Sequence, residues 1–315
     1  MNEQSKKISI ITPFYNEEKG IDYFYEALMP IFSQIRNIEF EVICVEDGSR
    51  DATLEKLISL AKKDSRFRVL ELSRNFGKEA ALTAGIDAAT GDAIIPIDAD
   101  LQDPPELIPE MIKEWRNGAE VVLARRIDRS SDSFLKRKAA EIFYRFHNSL
   151  STIQIPENVG DFRLMDRITV DAIKQLPEQH RFMKGLFAWV GFKTVTLDYI
   201  RQPRIVGTTK FSGWKLWNFA LEGITGFSAA PLKFWSYLGG IGALVTFFYA
   251  IFIISRTLIY GVDIPGYASL LVAVLFFGSL QLISVGMLGE YIGRIYMETK
   301  HRPLYLIRKQ YGVKK

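Results

Sequence analysis

Residues 95–106 read IPIDADLQDPPE, where an apolar run, Ala93 to Ile97, gives way to Asp98, Asp100 and Asp103, and two prolines then fix the exit of the loop. Carboxylates two residues apart at a strand end can share a hard cation. Oxygen ligands favour Mg2+ or Mn2+, and Mg2+ commonly takes one or two carboxylates and fills its remaining positions with water and substrate phosphates. On this reading a diphosphate is the natural partner of Asp98 and Asp100. D-x-D alone is a weak pattern, because acidic turns are also ordinary solvated surface, so its weight depends on the elements that place it.

Those elements form an alternating series. Strand-like runs ISIITPF, FEVICV, FRVLEL, DAIIPI and EVVLA are separated by helical stretches at 17–36, 51–63, 77–89 and 105–117. Strands apolar on both faces, divided by amphipathic helices, predict a mostly parallel α/β sheet covered by helices. Asp51 is a capping candidate before ATLEKL, and Gly118 follows its helix where a C-terminal cap belongs. In such sheets ligands bind beyond the carboxyl ends of the strands. TPFYNEE, EDGSRD, SRNFGKE and DADLQDPP all fall there and should converge on one crevice, bringing Glu17, Glu46, Asp47, Asp98, Asp100 and Asp103 together.

Several chemistries lose their support. No G-x-G-x-x-G follows the first strand, and NFGKEAALTAG lacks the glycine spacing and the Ser or Thr of a Walker loop. The 3 histidines lie near no cysteine or other histidine, so no zinc pattern exists. Cys44, alone in FEVICV, reads as a small core residue. A formal net charge of +4 does not call for nucleic acid. No signal-peptide pattern precedes the first strand, which predicts a cytosolic catalytic part.

The 48% hydrophobic content is concentrated near the C-terminus. Phe234 to Ser255 and Ile264 to Gly289 carry no charged residue, and each exceeds the roughly 20 residues that cross a bilayer core. Two transmembrane helices are expected. Lys210, Lys215 and Lys233 precede them, and Arg294, Lys300, Arg302, Arg308, Lys309, Lys314 and Lys315 follow, whereas the link holds Arg256 as its one cation; both ends should therefore be cytoplasmic. SGWKLWNFALEGITGFSAAPLKF reads as a helix lying in the membrane interface. The expected organisation is a catalytic domain over 1–210, an interfacial region over 211–231, a two-helix membrane domain over 232–293 and a basic cytosolic tail over 294–315.

TPFYNEE, VEDGSRDAT, SRNFGKEAALTAG, DADLQDPPE, GDFRLMDR, RFMKG and GTTKFS, in this order and before two apolar helices, resemble the polyprenyl-phosphate glycosyltransferases of glycosyltransferase family 2, which have the GT-A fold. The likeness is greatest to bactoprenol glucosyltransferases of the GtrB type, with dolichol-phosphate mannose synthase and ArnC as relatives. One departure is Glu46, where many members have Asp before DGS. The resemblance implies that Pro13, Tyr15, Glu17 and Asp47 hold the nucleotide, and that Asp98, Asp100 and Gln102 hold the metal and its diphosphate. It makes Asp161 the candidate base, places Arg204 and Lys210 on a loop that closes over the diphosphate, and implies a tetramer in the bacterial inner membrane. The implied partners are a UDP-sugar, with glucose favoured, undecaprenyl phosphate and the bilayer.

The expected chemistry is one displacement at the sugar C1 with inversion, the metal neutralising the leaving diphosphate. A phosphate acceptor with a second pKa near 6 is already largely dianionic, so a general base is not essential. Asp161 could equally position sugar hydroxyls or orient Arg163. Cations are needed to bring two anions together, and Arg125, Arg126, Lys136, Arg137, Arg181, Lys184, Arg204 and Lys210 are the supply. Two other readings stand beside this one. A processive polysaccharide synthase should show Q-x-x-R-W and more spans, which the chain lacks. A silent scaffold or translocator subunit has no physical reason to keep Asp98, Asp100 and Gln102.

Overall fold

The computed structural model describes residues 5–127, 156, 158–178, 181, 183–200, 230–261 and 266–312. Arg137, Arg204, Lys210, Lys136 and most of the expected interfacial region lie outside the described residues.

The alternating series folds as β1 (Lys6–Phe14), α1 (Ile21–Gln34), β2 (Ile38–Glu46), α2 (Thr53–Lys63), β3 (Phe67–Leu72), α3 (Lys78–Ala88), β4 (Ala93–Pro96), α4 (Ile108–Arg116) and β5 (Val121–Arg126), with a 3-10 turn at Pro105–Leu107 before α4. Next come β6 (Val159–Asp166), α5 (Arg167–Lys174), α6 (Met183–Trp189) and β7 (Thr194–Tyr199). Two long helices, α7 (Ala230–Tyr260) and α8 (Tyr267–Thr299), precede a final strand, β8 (Ile307–Tyr311).

The 8 strands among the described residues join one sheet in the order β7-β5-β6-β4-β1-β2-β3-β8. The pairs β1–β2, β1–β4, β2–β3 and β5–β7 are parallel. Two strands run the other way. β6 inserts between β4 and β5, antiparallel to both, so its first residues, not its last, arrive at the carboxyl ends of its neighbours. β8 pairs antiparallel with β3 and closes the opposite edge.

Alternation along the strands feeds a core on each face. Ile8, Ile10 and Phe14 of β1 pack with Phe24, Leu28 and Ile31 of α1 and with Met111 and Trp115 of α4. Ile11 points to the other face, among Ala81, Leu82 and Ile86 of α3 and Val170 and Leu186 of α5 and α6. The buried set of α1, Ile21, Phe24, Leu28, Ile31 and Phe32, recurs at the three-to-four-residue spacing that puts side chains on one helical face. Gly118, at φ +92°, ends α4, its N–H donating to the Trp115 carbonyl.

α7 and α8 are continuous over 31 and 33 residues, about 46 and 50 Å at 1.5 Å per residue. They touch where Gly242 faces the Phe277 ring. Phe247, Phe248, Phe252, Leu282 and Ile283 are among their exposed apolar side chains. Among the described residues no helix is long and apolar enough to cross a membrane. The expectation of two spans rests on the complete runs, several of whose side chains lie outside the described set. The tail expected over 294–315 is not simply a basic extension, because its residues 307–311 are a strand of the catalytic sheet.

Candidate active site

Three loops at the carboxyl ends of β1, β2 and β3 are laced into one rim. The Asn16 N–H donates to Ser49 Oγ at 3.0 Å, and the Asn16 side-chain oxygen accepts from the Arg50 N–H at 2.8 Å. Glu17 N–H donates to Thr53 Oγ1, while Asp51 accepts from both the N–H and the hydroxyl of Thr53 at the start of α2. Asp47 is buried, and its two oxygens accept from the N–H groups of Phe76 at 2.7 Å and Gly77 at 2.9 Å. Burial raises the Asp47 carboxyl above the ordinary carboxylate range despite those amides. The neighbouring Gly48, at φ +67°, packs so closely on the next loop that an added Cβ would lie 2.4 Å from the Asn75 nitrogen.

The acidic loop after β4 turns through Leu101, a non-glycine residue at φ +51° whose side chain is buried. That left-handed conformation costs of order 1–2 kcal/mol and is held by the packing of the leucine. Asp103 turns away from the crevice: it is buried and accepts from the hydroxyl of Tyr199, the last residue of β7. Asp100 Oδ1 accepts from the Gln102 N–H at 3.2 Å. Asp98 meets the start of β6. The register Ala93↔Asp166 and Ile94↔Met165, continued past β4, brings Asp98 level with Asp161, and Lys78 bridges them. Its Nζ lies 2.7 Å from an Asp98 oxygen and 2.7 Å from Asp161 Oδ2.

Behind this bridge lies a buried charged cluster. Burial would raise the Asp161 carboxyl, but Lys78 and then Lys184 hold it down at about 2. Asp161 Oδ1 is buried and has no hydrogen-bond partner among the described residues. Burial, followed by repulsion from Asp161, pushes Glu79 up to about 7. Burial lowers the Arg163 guanidinium to about 10; it donates to the Gly160 carbonyl at 2.6 Å and stacks 4.1 Å above the Phe187 ring. Arg163, Lys184, Phe187, Val121, Leu123 and Val159 line a cavity of about 220 Å3 on the same face. Its two cations, Arg163 and Lys184, suit an anionic ligand group.

The sequence profile described as Glycosyl transferase family 2 matches residues 9–173. The chain belongs to this family. A prophage bactoprenol glucosyl transferase homolog of Escherichia coli K12 is 54% identical over 303 residues, covering 96% of this chain and 99% of that protein. The bactoprenol glucosyl transferase of Shigella phage SfV is 53% identical over 304 residues, with the same two coverages of 96% and 99%. An uncharacterized glycosyltransferase of Synechocystis, sll0501, is 52% identical over 307 residues, 98% of this chain and 96% of that one. The GtrB-type resemblance is thereby supported along nearly the whole chain. A glucosyl-3-phosphoglycerate synthase structure from Mycobacterium tuberculosis aligns at 19% identity, covering 69% of this chain and 76% of that one with a TM-score of 0.44, too distant to carry any site assignment.

In this family 2 chain the expected site residues divide into three groups. Asp98, Asp100, Gln102 and Asp161 share the rim of the crevice. Pro13 is half-buried near the end of β1, Tyr15 is 40% exposed just beyond it, and Glu17 follows on the same loop. Asp47 ties two loops together. Arg125, in contrast, pairs with Asp198 of β7, Nε to Oδ1 at 2.7 Å and Nη2 to Oδ2 at 3.0 Å. Arg181 donates to the Leu176 carbonyl at 2.7 Å, and its buried Nε has no partner among the described residues. The Lys184 charge favours the ionised forms of Asp161 and Glu79, and the residue lines the cavity beside Arg163.

Among the described residues no group of three or more His, Cys, Asp or Glu could hold a metal by itself. The oxygen donors of Asp98, Asp100 and Gln102 are of the type that takes a hard cation, whose remaining positions substrate phosphates and water can fill. Lys78 and Glu79 are not among the residues expected from sequence, where NFGKEA lacks the pattern of a nucleotide loop. Its signal was a lysine opening a helix at a strand end, beside an acidic loop.

Proposed function

We propose that this enzyme transfers a sugar, with inversion, from a nucleoside diphosphate sugar to a polyprenyl phosphate at the cytoplasmic face of the bacterial inner membrane. UDP-glucose and undecaprenyl phosphate are the favoured pair; GDP-mannose, UDP-GlcNAc and UDP-amino-arabinose derivatives are the competing sugar sources. The observation that carries this reading is identity of 52–54% with bactoprenol glucosyl transferases and homologues, over a length that includes both C-terminal helices.

Asp98, Asp100 and Gln102 would hold Mg2+ or Mn2+, which supplies charge neutralisation for the leaving diphosphate. The linked β1 and β2 loops give Pro13, Tyr15, Glu17 and Asp47 a fixed rim for the nucleotide. Asp161, held ionised, accepts a hydroxyl of the bound sugar through the oxygen that has no partner among the described residues and orients Lys78 through the other, the Gly160 and Asp161 carbonyls hold Arg163, and Lys184 offers charge to an incoming phosphate. The acceptor needs no proton removed, so Asp161 acts by positioning.

α7 and α8 are read as a membrane hairpin. β8 supports this, because a strand bonded into the catalytic sheet must lie on the same side of the bilayer as that sheet, which requires an even number of crossings. Apolar, glycine-bearing faces on both helices suit association of copies, and a homotetramer is the assembly we favour.

The test uses detergent-purified full-length protein, undecaprenyl phosphate, Mn2+ or Mg2+ and a panel of UDP- and GDP-sugars, following lipid-linked product with and without EDTA. Metal-dependent labelling from one sugar nucleotide is expected. Transfer that persists at full rate in EDTA would remove the metal from the reading, and no product from any of them would remove the acceptor.

A further inference from the structure

Lys78 is positioned by the backbone before it. The N–H groups of Phe76 and Gly77 are both held by buried Asp47, so the start of α3 is fixed relative to β2. From there the ammonium reaches Asp98, 2.7 Å from Oδ1 and 2.8 Å from Oδ2, and Asp161 Oδ2 at 2.7 Å. Asp98 therefore commits both oxygens to one cation. Its side chain is 45% exposed to the crevice, where a ligand can reach it.

We infer that Lys78 is a positioning residue, the resident counter-cation of the site: it aligns Asp98 with Asp161 in the free enzyme and gives up Asp98 when a divalent cation and a diphosphate arrive together. This rests on the reading of Asp98 and Asp100 as cation ligands. An ammonium and a divalent cation cannot both occupy the same two carboxylate oxygens, so metal alone must compete with Lys78. A diphosphate relieves the competition, because its oxygens give the displaced ammonium a new anionic partner while Asp161 keeps hold of it. Metal and nucleotide then bind with positive coupling, and by linkage each tightens the other by the same factor.

The test measures Mn2+ binding to full-length protein in detergent, by electron paramagnetic resonance of free Mn2+, with and without UDP. In the native enzyme UDP should tighten Mn2+ strongly. Lys78→Met should bind Mn2+ alone tighter, on the order of tenfold from loss of one neighbouring charge, and should lose most of the tightening by UDP. Lys78→Arg should restore the coupling in part. A folded Lys78→Met protein whose Mn2+ affinity without UDP is unchanged or weaker overturns the proposal, since a merely structural lysine could not make metal binding tighter when removed. Lys78→Gln reads the same quantity if the Met variant fails to fold. Asp100→Asn separates the two levels: it should lose Mn2+ in every condition, and native-like Mn2+ binding there would overturn the cation reading itself and the Lys78 role with it.

Discussion

Glu41 and Asp161 are two carboxylates near opposite ends of the sheet, both held near a pKa of about 2. Burial works against ionisation at both, and cations or hydrogen bonds overcome it. At Glu41, Oε1 accepts from Ser9 Oγ at 2.5 Å, from the Thr90 N–H at 2.8 Å and from the Thr90 hydroxyl at 2.9 Å. Oε2 lies 2.9 Å from the Lys7 ammonium and 3.5 Å from Arg68. Asp161 has one oxygen on Lys78, and the other is buried without a hydrogen-bond partner among the described residues. An unmade buried hydrogen bond costs about 1–3 kcal/mol, and a native protein keeps one where something else is to supply the missing group. The closed cluster pins strands together; the open one is arranged for a ligand.

Asp100→Asn, beside the open cluster, should reduce transfer at least about 100-fold, because it removes a cation ligand at little steric cost, and should move the thermal midpoint by less than about 2 °C. A matched pair of turnover and melting measurements checks this. Retention of native turnover would erase the distinction between the two ends of the sheet.

Glu41→Gln should do the reverse. It should lose about 3 kcal/mol of stability, the value of a shift from 4.5 to about 2, while turnover per folded molecule is unchanged. The pH dependence has a definite sign. The folded pKa lies below the unfolded one, so the contribution is complete above pH 4.5 and disappears as pH falls through about 2. Acid unfolding of the native protein should therefore be steeper over that window than that of Glu41→Gln, and parallel curves would show that the cluster is not the pin it is taken to be.

Gly48→Ala tests whether the rim depends on close backbone packing. The new Cβ would meet the Asn75 nitrogen at 2.4 Å and the Arg74 carbonyl carbon at 2.6 Å, at a backbone conformation that disfavours it. About 2 kcal/mol of stability and a raised KM for the sugar nucleotide are expected. The smallest effect should come from deleting residues 306–315. This removes β8, with the Tyr311 hydroxyl bond at 2.8 Å and the Arg308 contact at 3.4 Å to Glu71 of β3, contacts made from the exposed edge of the sheet. About 1 kcal/mol, read as a fall of a few degrees in the melting of the catalytic domain, is expected.

The periodicity of the first 124 residues determined the β1-to-β5 series and placed the four polar loops at one edge, because alternation and three-to-four spacing are local properties of the chain. The D-x-D pattern and the full set of motifs likewise determined the family. Asp103 shows where local reading ends: in the sequence it is a third crevice carboxylate, but β7 supplies Tyr199 and draws it into the wall. Arg125 was available as a phosphate contact until the parallel pairing with β7 placed Asp198 beside it.

Antiparallel insertion of β6 was equally invisible, and it decides the site, because it presents Asp161 at an edge otherwise built from strand carboxyl ends. The role of Lys78 depends on that same long-range pairing, since its two partners are 20 and 83 residues away. β8 carries no strand signal of its own, because five residues with no periodic pattern become a strand only when a neighbouring edge offers unpaired amides. The sequence determined which residues could do chemistry; the tertiary structure decided which of them share a ligand, because a carboxylate's partners are set by strand order and register, quantities no local pattern encodes.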